Sequence, residues 1–366
     1  DLVDRGPGMS FDFLLSPGYF NDHQSSLGSF IGETKWDEEY GFMTYDNLRY
    51  IPGEDLWRSV EEIKNLIIRP PTKFLGMITD LTGEQASGAK ETVVASEIAV
   101  EQINKRKLRL RYNVELLIRD SEQNPQKATQ LAEDLITKGK VSAIIGPVSS
   151  ATAASLAIIA KKWATVFIFH YANSERLTIK LFNDYVVQVG PSAYIEGSLQ
   201  AMDMAEQKYS SYYLVGPRYG AAPEAAAAFK EWLKKLRPDV RFLGELWLPA
   251  GTTDFSAAID TILAAKPEIV YSNFTGEDLV RFTRQAKSHK FFEQVAFAAP
   301  YDVGVLQELK QDMVPGIRAF SKAPFYASQD ARMKDFVEKY RARTSLYPSD
   351  AAVLAYDSVM MWASIM

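Results

Sequence analysis

Two apolar runs in the middle of the chain, residues 141–145 and 165–169, each end in a polar turn and are predicted to be β-strands. The carboxyl ends of parallel strands form the edge of a sheet at which ligands bind. A serine hydroxyl beside the first turn of a helix, where backbone N–H groups point outward, favours an anion. A small carboxylate is therefore predicted to bind at these turns, which contain Ser149, Ser150, Tyr171, Ala172 and Asn173.

Two of these residues also have purely structural explanations. The alanine-rich run 153–162 has helical composition, so Ser150 could be the N-cap of that helix. A cap can also bind a ligand, and the two roles are compatible. For Tyr171 the alternative role is packing alone.

Length and composition limit the class of protein. A chain of 366 residues exceeds one ordinary hydrophobic core, so two domains are expected. Hydrophobic residues at 47% and charged residues at 24% are typical of a soluble globular protein. The net charge of -5 argues against nucleic acid as a partner.

The sequence lacks the motifs of common enzyme classes. It contains no cysteine and no Gly-x-Ser-x-Gly, P-loop or Gly-x-Gly-x-x-Gly motif. Its three histidines, His23, His170 and His289, do not have the local spacing of a metal site. We therefore predict a protein that is not an enzyme and that uses no cofactor and no metal.

Strand and helix patterns alternate from residue 73 to the end of the chain, with a break at Gly190-Pro191. This alternation predicts an α/β fold with two doubly wound parallel sheets. Asn124 and Asp254 are predicted to cap the helices that follow them. The predicted strands are 74–79, 112–119, 141–145, 165–169 and 185–189 in the first sheet, 211–215, 241–248, 268–272 and 294–298 in the second, and a later strand at 317–321.

The first 71 residues have a different character, rich in Gly, Asp, Tyr and Phe. Short strands are predicted at 10–15, 30–35 and 44–50, and a helix at 55–67. The sequence Arg69-Pro70-Pro71 is a break before the regular α/β pattern begins.

An ordered set of motifs between residues 74 and 366 resembles the bacterial periplasmic solute-binding proteins of the leucine/isoleucine/valine type, also called type I periplasmic binding proteins. The resemblance implies two lobes joined by a hinge, with a small ligand between them. The matching stretches are GMITDLTG (76–83), RDSEQNPQKA (119–128), AIIGPVSSATAA (143–154), NSERLT (173–178), GTTDFSAAI (251–259) and LAYDSVMMWA (354–363).

The order of the segments departs from that family. Members begin near the strand at residue 74 and continue, after the LAYDSVMMWA helix, into a closing segment. In this chain the similar segment stands at the N-terminus, as GMSFD (8–12), SPG (16–18), DHQ (22–24) and IGETKW (31–36). We therefore predict a circularly permuted order, with an unrelated N-terminal extension as the alternative. The predicted divisions are 1–72, the closing segment packed mostly with lobe 2; 73–190, lobe 1; 191–316, lobe 2; and 317–366, a return to lobe 1.

The resemblance also implies roles for particular residues. Ser150 matches the family's contact serine, and Tyr171, Ala172 and Asn173 match its second contact loop. A small hydroxyl residue is common at the position of Asn173, which leaves the ligand open. The resemblance places Thr82 at the floor of the cleft, His23 in a structural role, and Tyr219, Thr275, Glu277 and Asp302 in lobe 2. One of Glu277 or Asp302 would pair with an ammonium group, although Glu277 could equally be a first-turn helix acid.

The function implied by the resemblance is binding and delivery. A protein of this family captures a small amino acid or related carboxylate and passes it to a membrane ABC permease. A branched-chain amino acid is the default ligand, and a monomer in the periplasm or another extracytoplasmic location is expected, without a signal peptide in the mature form. A ligand-sensing regulatory domain of the same fold is the first alternative, and a two-lobed enzyme is the second.

Overall fold

The computed structural model describes residues 29–37, 42–51, 71–83, 86–105, 112–249 and 251–366. Contacts between Cα atoms divide the chain into a small unit, residues 1–71 with 108–111, and a large unit, residues 72–107 with 112–366. Among the described residues, no helix is both long enough and apolar enough to cross a membrane.

The small unit contains an antiparallel pair of strands, β1 (Ser29–Asp37) and β2 (Phe42–Ile51). Their register places Phe30 opposite Tyr50, with an irregularity between Ile31 and Glu33. The predictions of strands at 30–35 and 44–50 are confirmed. The strand predicted at 10–15, the helix predicted at 55–67 and His23 lie outside the described residues.

The first half of the large unit, which we call lobe 1, is built on a five-stranded parallel sheet in the order β4-β3-β5-β6-β7. The chain winds outward in both directions from the first strand of the lobe, so the prediction of a doubly wound sheet is confirmed. Its strands are β3 (Thr72–Thr79), β4 (Asn113–Asp120), β5 (Ala143–Ile145), β6 (Val166–Phe169) and β7 (Val186–Gln188), and its helices are α1 (Ala86–Lys105), α2 (Pro125–Thr137), α3 (Ser150–Trp163) and α4 (Glu175–Thr178).

The second half, lobe 2, repeats this winding in the order β9-β8-β10-β11-β12, again all parallel. Its strands are β8 (Ser211–Pro217), β9 (Arg241–Leu248), β10 (Ile269–Ser272), β11 (Ala296–Ala299) and β12 (Arg318–Ala319). The helices from here to the end of the chain are α5 (Ala193–Ala205), α6 (Ala222–Leu236), α7 (Ser256–Ala265), α8 (Gly276–Ser288), α9 (Val303–Leu309), α10 (Ala331–Thr344) and α11 (Asp350–Ile365), with short 3-10 turns at Phe291–Glu293, Lys310–Asp312 and Phe325–Ala327.

Each sheet has its own apolar core, because helices cover both of its faces and its central strands are buried on both sides. In lobe 1, Ile144, Leu156 and Phe167 are completely buried. In lobe 2, the ring of Phe282 lies 5.4 Å from the ring of Phe297, within a cluster of aromatic side chains. Burial of each such side chain contributes about 2 kcal/mol to folding.

The chain returns to lobe 1 after β12, because both C-terminal helices α10 and α11 pack against α1. Gln102 of α1 joins the three helices through its side-chain amide. It accepts a hydrogen bond from the Tyr356 hydroxyl at 2.6 Å and donates one to Asp335 at 2.8 Å. Lobe 1 is therefore completed by segments that are more than 230 residues apart in sequence.

The structure confirms one of the two predicted helix caps. The Asn124 side chain accepts hydrogen bonds from the N–H groups of Gln126 and Lys127, which makes it the cap of α2. Helix α7 begins one residue later than predicted, so Phe255 occupies the cap position and the prediction for Asp254 is wrong. Asp254 instead accepts a hydrogen bond from the Ser256 N–H at 2.9 Å, which forms a turn before the helix.

Candidate functional site

The turn after β5 is fixed by a close approach between two backbones. Gly146 has a φ of +105°, and a Cβ atom at this position would lie 1.9 Å from the Ile78 carbonyl oxygen of the adjacent strand. Only glycine allows this combination of conformation and contact. The backbone of this turn therefore passes directly over the end of β3 before α3 begins.

Ser149, and not Ser150, is the N-cap of α3. Ser149 has an extended backbone and its hydroxyl accepts a hydrogen bond from the Thr152 N–H at 3.4 Å. Its own N–H donates to the buried carboxylate of Asp80 at 3.0 Å, and Asp80 also accepts from the Ser121 hydroxyl at 2.6 Å. The start of the helix is thus anchored to residues that follow β3 and β4. Ser150, the first helical residue, is released from the capping role.

The hydroxyl of Ser150 joins the two polar turns of lobe 1. It accepts a hydrogen bond from the Asn173 N–H at 3.3 Å. The first N–H groups of a helix have no partner within the helix, so those of Ser150 and the residue after it point out of α3 beside this junction. The structure therefore brings together the two turns that the sequence predicted to lie at one edge of the sheet.

A carboxylate from lobe 2 fixes the side chain of Asn173. Glu196, in the first turn of α5, accepts a hydrogen bond from Asn173 Nδ2 at 2.6 Å. The same Glu196 oxygen lies 2.8 Å from the ammonium of Lys322, and both side chains of this ion pair are at most 15% exposed. Lys322 Nζ also lies 4.5 Å from the centre of the Tyr171 ring, a cation–π contact. Tyr171 and Asn173 are therefore held by one ion pair.

Acidic side chains surround the hydroxyl end of Tyr171. Burial raises the pKa of Tyr171 well above its ordinary value, and the nearby carboxylates of Asp302, Asp350 and Glu196 raise it further. Burial also raises the pKa of Asp302 to about 6, because its ionised form is poorly solvated. Asp302 is the N-cap of α9 and accepts a hydrogen bond from the Val305 N–H at 2.9 Å.

A second acid that is largely shielded from solvent, Glu91 of α1, extends this group of carboxyl groups. Its side chain is hydrogen bonded to the hydroxyl of Ser349, the N-cap of α11. Burial raises the pKa of Glu91 to about 7; the Ser349 hydrogen bond opposes the increase and the charge of Asp302 adds to it. Acids from lobe 1 and lobe 2 therefore meet at the first turn of α11.

The other predicted contacts of lobe 2 lie on exposed surface. The Tyr219 hydroxyl donates to Asp278 at 2.8 Å. Glu277 pairs with Arg281 on its own helix at 2.5 Å, and Thr275 occupies the cap position of α8 without a side-chain cap. These contacts agree with the alternative role of Glu277, that of an acid in the first turn of a helix.

Two further predicted site residues differ in their burial. Thr82 is exposed in the bend after β3, next to Leu81, whose N–H donates to Asp120 at 2.9 Å. Ala172 is 2% exposed and offers the site its backbone only. Among the predicted contacts, the structure thus joins Ser150, Asn173, Tyr171 and Asp302 through direct contacts or close charges. Ser149 and Ala172 are their chain neighbours in the same two turns, whereas the exposed residues are Thr82, Tyr219, Thr275 and Glu277.

Sequence reasoning missed Glu91, Glu196, Lys322, Ser349 and Asp350. Each lies in a helix, at a helix cap or in the segment that returns to lobe 1, and secondary structure alone explains its local sequence pattern. The one available signal was the acid in the first turn of α5, four residues after its Ser192 cap, but nothing in the local pattern links that acid to Asn173. Within the described ranges, no group of three or more histidine and acidic side chains is arranged to hold a metal ion.

Comparison with known proteins places this geometry in a family. Residues 73–366 match the family described as periplasmic binding protein. No curated protein matches the chain. An ABC transporter substrate-binding protein from Sphaerobacter thermophilus superimposes with a TM-score of 0.70 at 21% identity, over 80% of each chain.

Two ligand-bound structures are similarly related. A solute binding protein of an ABC transporter from R. palustris, in complex with benzoate, has a TM-score of 0.71 at 21% identity, covering 80% of this chain and 79% of that one. A branched-chain amino acid transporter substrate binding protein from Streptococcus pneumoniae, in complex with isoleucine, has a TM-score of 0.69 at 22% identity, covering 80% and 83%. Together with the two parallel five-stranded sheets, the family match shows that this chain belongs to the periplasmic binding proteins, type I.

Proposed function

We propose that this protein is an extracytoplasmic solute-binding protein that captures a small amino acid or related carboxylate between lobes 1 and 2 and delivers it to a membrane ABC permease. The observation that carries the proposal is the hydrogen bond from the Asn173 N–H to the Ser150 hydroxyl, which joins two strand-end turns beside the start of α3. Hydroxyl and backbone N–H donors at such a junction suit a carboxylate. The family and the similar structures are substrate-binding proteins and not enzymes, which supports a binding role.

The mechanism follows from the two-lobed arrangement. A ligand held at the Ser150 junction gains further contacts from lobe 2 when the two lobes close on it, so binding favours the closed form. Asp302 is our candidate for the contact from lobe 2, since it follows β11 as the cap of α9 and its charge contributes to the raised pKa of Tyr171. When the lobes close, we expect the ligand to gain contacts with Tyr219, Thr275, Glu277 and Thr82 as well.

The identity of the ligand is narrowed by the relatives. One similar structure is bound to isoleucine and another to benzoate. A branched-chain amino acid and an aromatic acid are therefore the two ligand classes to test first. We expect a monomer, because the delivery role requires one closing cleft and no partner copy.

The order of the chain is a separate proposal. We propose that residues 1–72 correspond to the family's closing C-terminal segment, so that this chain is circularly permuted. The start of the family match at residue 73 is compatible with this order. A re-ordered variant, with residues 1–72 joined by a short linker after residue 366, should melt at the same temperature as the present order. Deletion of residues 1–72 should lower the melting temperature strongly if they are the closing segment, and should leave it unchanged if they are an unrelated N-terminal extension.

A thermal-shift screen tests the binding role. Amino acids and simple carboxylic acids should be titrated against the full chain while the melting temperature is recorded. A ligand that binds only the folded protein raises stability with the logarithm of its concentration, by about 2.7 kcal/mol at 100 times Kd. If no acid or amino acid raises the melting temperature, the proposed function is wrong.

A further inference from the structure

The Glu196 carboxylate and the face of the Tyr171 ring together form a binding position for a cation beside the predicted carboxylate site. Both adjoin Asn173, whose side chain is bound by Glu196 and whose N–H is bound by Ser150. An acid and an aromatic face are the two groups that stabilise an ammonium in a partly dehydrated site. An amino acid whose carboxylate lay at Ser150 would need such a place for its ammonium.

In this chain the side chain of Lys322 already occupies this cation-binding position. The Lys322 ammonium is 2.8 Å from Glu196 and 4.5 Å from the centre of the Tyr171 ring. Lys322 is 13% exposed and Glu196 is 15% exposed, so this is a sheltered ion pair with little screening by solvent. The backbone N–H of Lys322 also donates to Asp350 at 2.5 Å, which fixes the position of the residue.

The neighbouring acids are engaged with hydrogen-bond donors of the protein. Asp350 accepts from the Ser321 hydroxyl at 2.7 Å as well as from the Lys322 N–H. Asp302 accepts from the Val305 N–H as the cap of α9. The acid that directly faces the Asn173 turn is therefore Glu196, and its charge is matched by Lys322.

We infer that Lys322 takes the position of a ligand ammonium, and that the protein selects carboxylates that lack an ammonium group. The inference rests on the proposed function and narrows its ligand class. A second ammonium near Lys322 would meet a like charge in a sheltered site, and the Glu196 carboxylate that would bind it is already paired. The preferred ligands are then aliphatic or aromatic acids and not α-amino acids.

Matched pairs of ligands test this selectivity with the full chain. Each pair shares a carbon skeleton and differs only in the amine: leucine with 4-methylpentanoate, phenylalanine with 3-phenylpropanoate, and alanine with propanoate. Isothermal titration calorimetry gives Kd for each. We expect the acid of the best-binding pair to bind at least about tenfold more tightly than its amino acid.

The variant Lys322→Met keeps the approximate length of the side chain and removes the charge. It frees Glu196 and the Tyr171 ring, so the preference for the acid should fall by at least about tenfold. If the single variant does not fold, the double variant Lys322→Met with Glu196→Gln replaces it, because it leaves no buried unpaired charge. We expect the same loss of preference for the acid in the double variant, because the repulsion between the two ammonium groups is gone. The control Lys230→Met breaks another Lys–Glu pair, that with Glu245 at 2.7 Å, and should retain the wild-type preference.

The outcomes separate the two proposals. Amino acids that bind as tightly as their acids to the wild-type protein, or an unchanged preference in the folded Lys322 variant, would overturn the inference and leave the binding function intact. If neither member of any pair binds, and no acid or amino acid raises the melting temperature, the proposed function itself fails, and the inference fails with it.

Discussion

The sharpest prediction about stability concerns the half-buried Glu91 carboxyl group. Its pKa is raised from 4.5 to about 7, chiefly by burial. Between these two pH values the folded protein holds the Glu91 proton and the unfolded chain has released it. The free energy of unfolding therefore falls as pH rises through this window, and the loss is complete above about pH 7.

The magnitude follows from the difference between the two pKa values. At about 1.4 kcal/mol for each pKa unit, ionisation of Glu91 costs the folded state about 3 kcal/mol above pH 7. The variant Glu91→Gln removes this cost, since a neutral amide of the same shape can keep the hydrogen bond with Ser349. We expect it to be more stable than the wild-type protein by up to about 3 kcal/mol at pH 8, and similar to it near pH 4.5.

Urea denaturation followed by tryptophan fluorescence, repeated at intervals between pH 4.5 and 8, provides the measurement. The difference between wild type and variant removes the part of the pH dependence that is due to Asp302 alone, whose pKa is also raised. The control Glu97→Gln changes an exposed acid on the same helix and should shift stability by less than about 0.5 kcal/mol at every pH. If Glu91→Gln and wild type differ by the same amount at all pH values, the buried-acid reasoning is refuted.

Two further predictions concern the fold. Gly146→Ala should prevent normal folding, seen as loss of the cooperative thermal transition, because the new Cβ would lie 1.9 Å from the Ile78 carbonyl oxygen. The control Gly220→Ala also has a positive φ but has open space around it, so it should lower the free energy of unfolding by only about 1 kcal/mol. Phe282→Ala should lower the free energy of unfolding by about 3 to 5 kcal/mol, measured by urea titration, because the ring is completely buried against Phe297; a loss below about 1 kcal/mol would mean that the core of lobe 2 is not packed as described.

Local patterns predicted most of the architecture of the large unit. The strand predicted at 241–248 agrees with the structure at both ends, and the alternation of strands and helices predicted both doubly wound sheets. The prediction for the start of α3 was less accurate, because the alanine-rich run suggested residue 153 while the helix begins at Ser150. Two adjacent serines gave no sequence signal for which of them is the cap.

The candidate site was predictable only in part. The carboxyl ends of adjacent parallel strands must meet, so the junction of Ser150 with Asn173 could be expected from local sequence. The partners that lie far apart in sequence could not. Glu91 and Ser349 are separated by 258 residues, and only the packing of α11 on α1 brings them together. The sequence pattern of each helix does not show which other helix it packs against.

The prediction that Glu277 or Asp302 pairs with a ligand ammonium also needed the fold. Both follow strands of lobe 2 and both stand at helix starts, so the sequence did not distinguish them. In the structure Glu277 is exposed and bound to Arg281, whereas Asp302 is close enough to Tyr171 to raise its pKa. Of the two, Asp302 therefore remains the candidate for a ligand contact from lobe 2.

The most direct test of the account is the affinity of Ser150→Ala for whichever carboxylate binds the wild-type protein most tightly. Isothermal titration should show a loss of about 10- to 100-fold, the size expected when one hydrogen bond to a charged group is removed. The matched control is Ser155→Ala on the same helix, whose hydroxyl bonds to the Thr152 and Pro125 carbonyl oxygens and should not touch the ligand. Unchanged affinity in Ser150→Ala, with a folded protein, would contradict the placement of the carboxylate at the junction of the two turns.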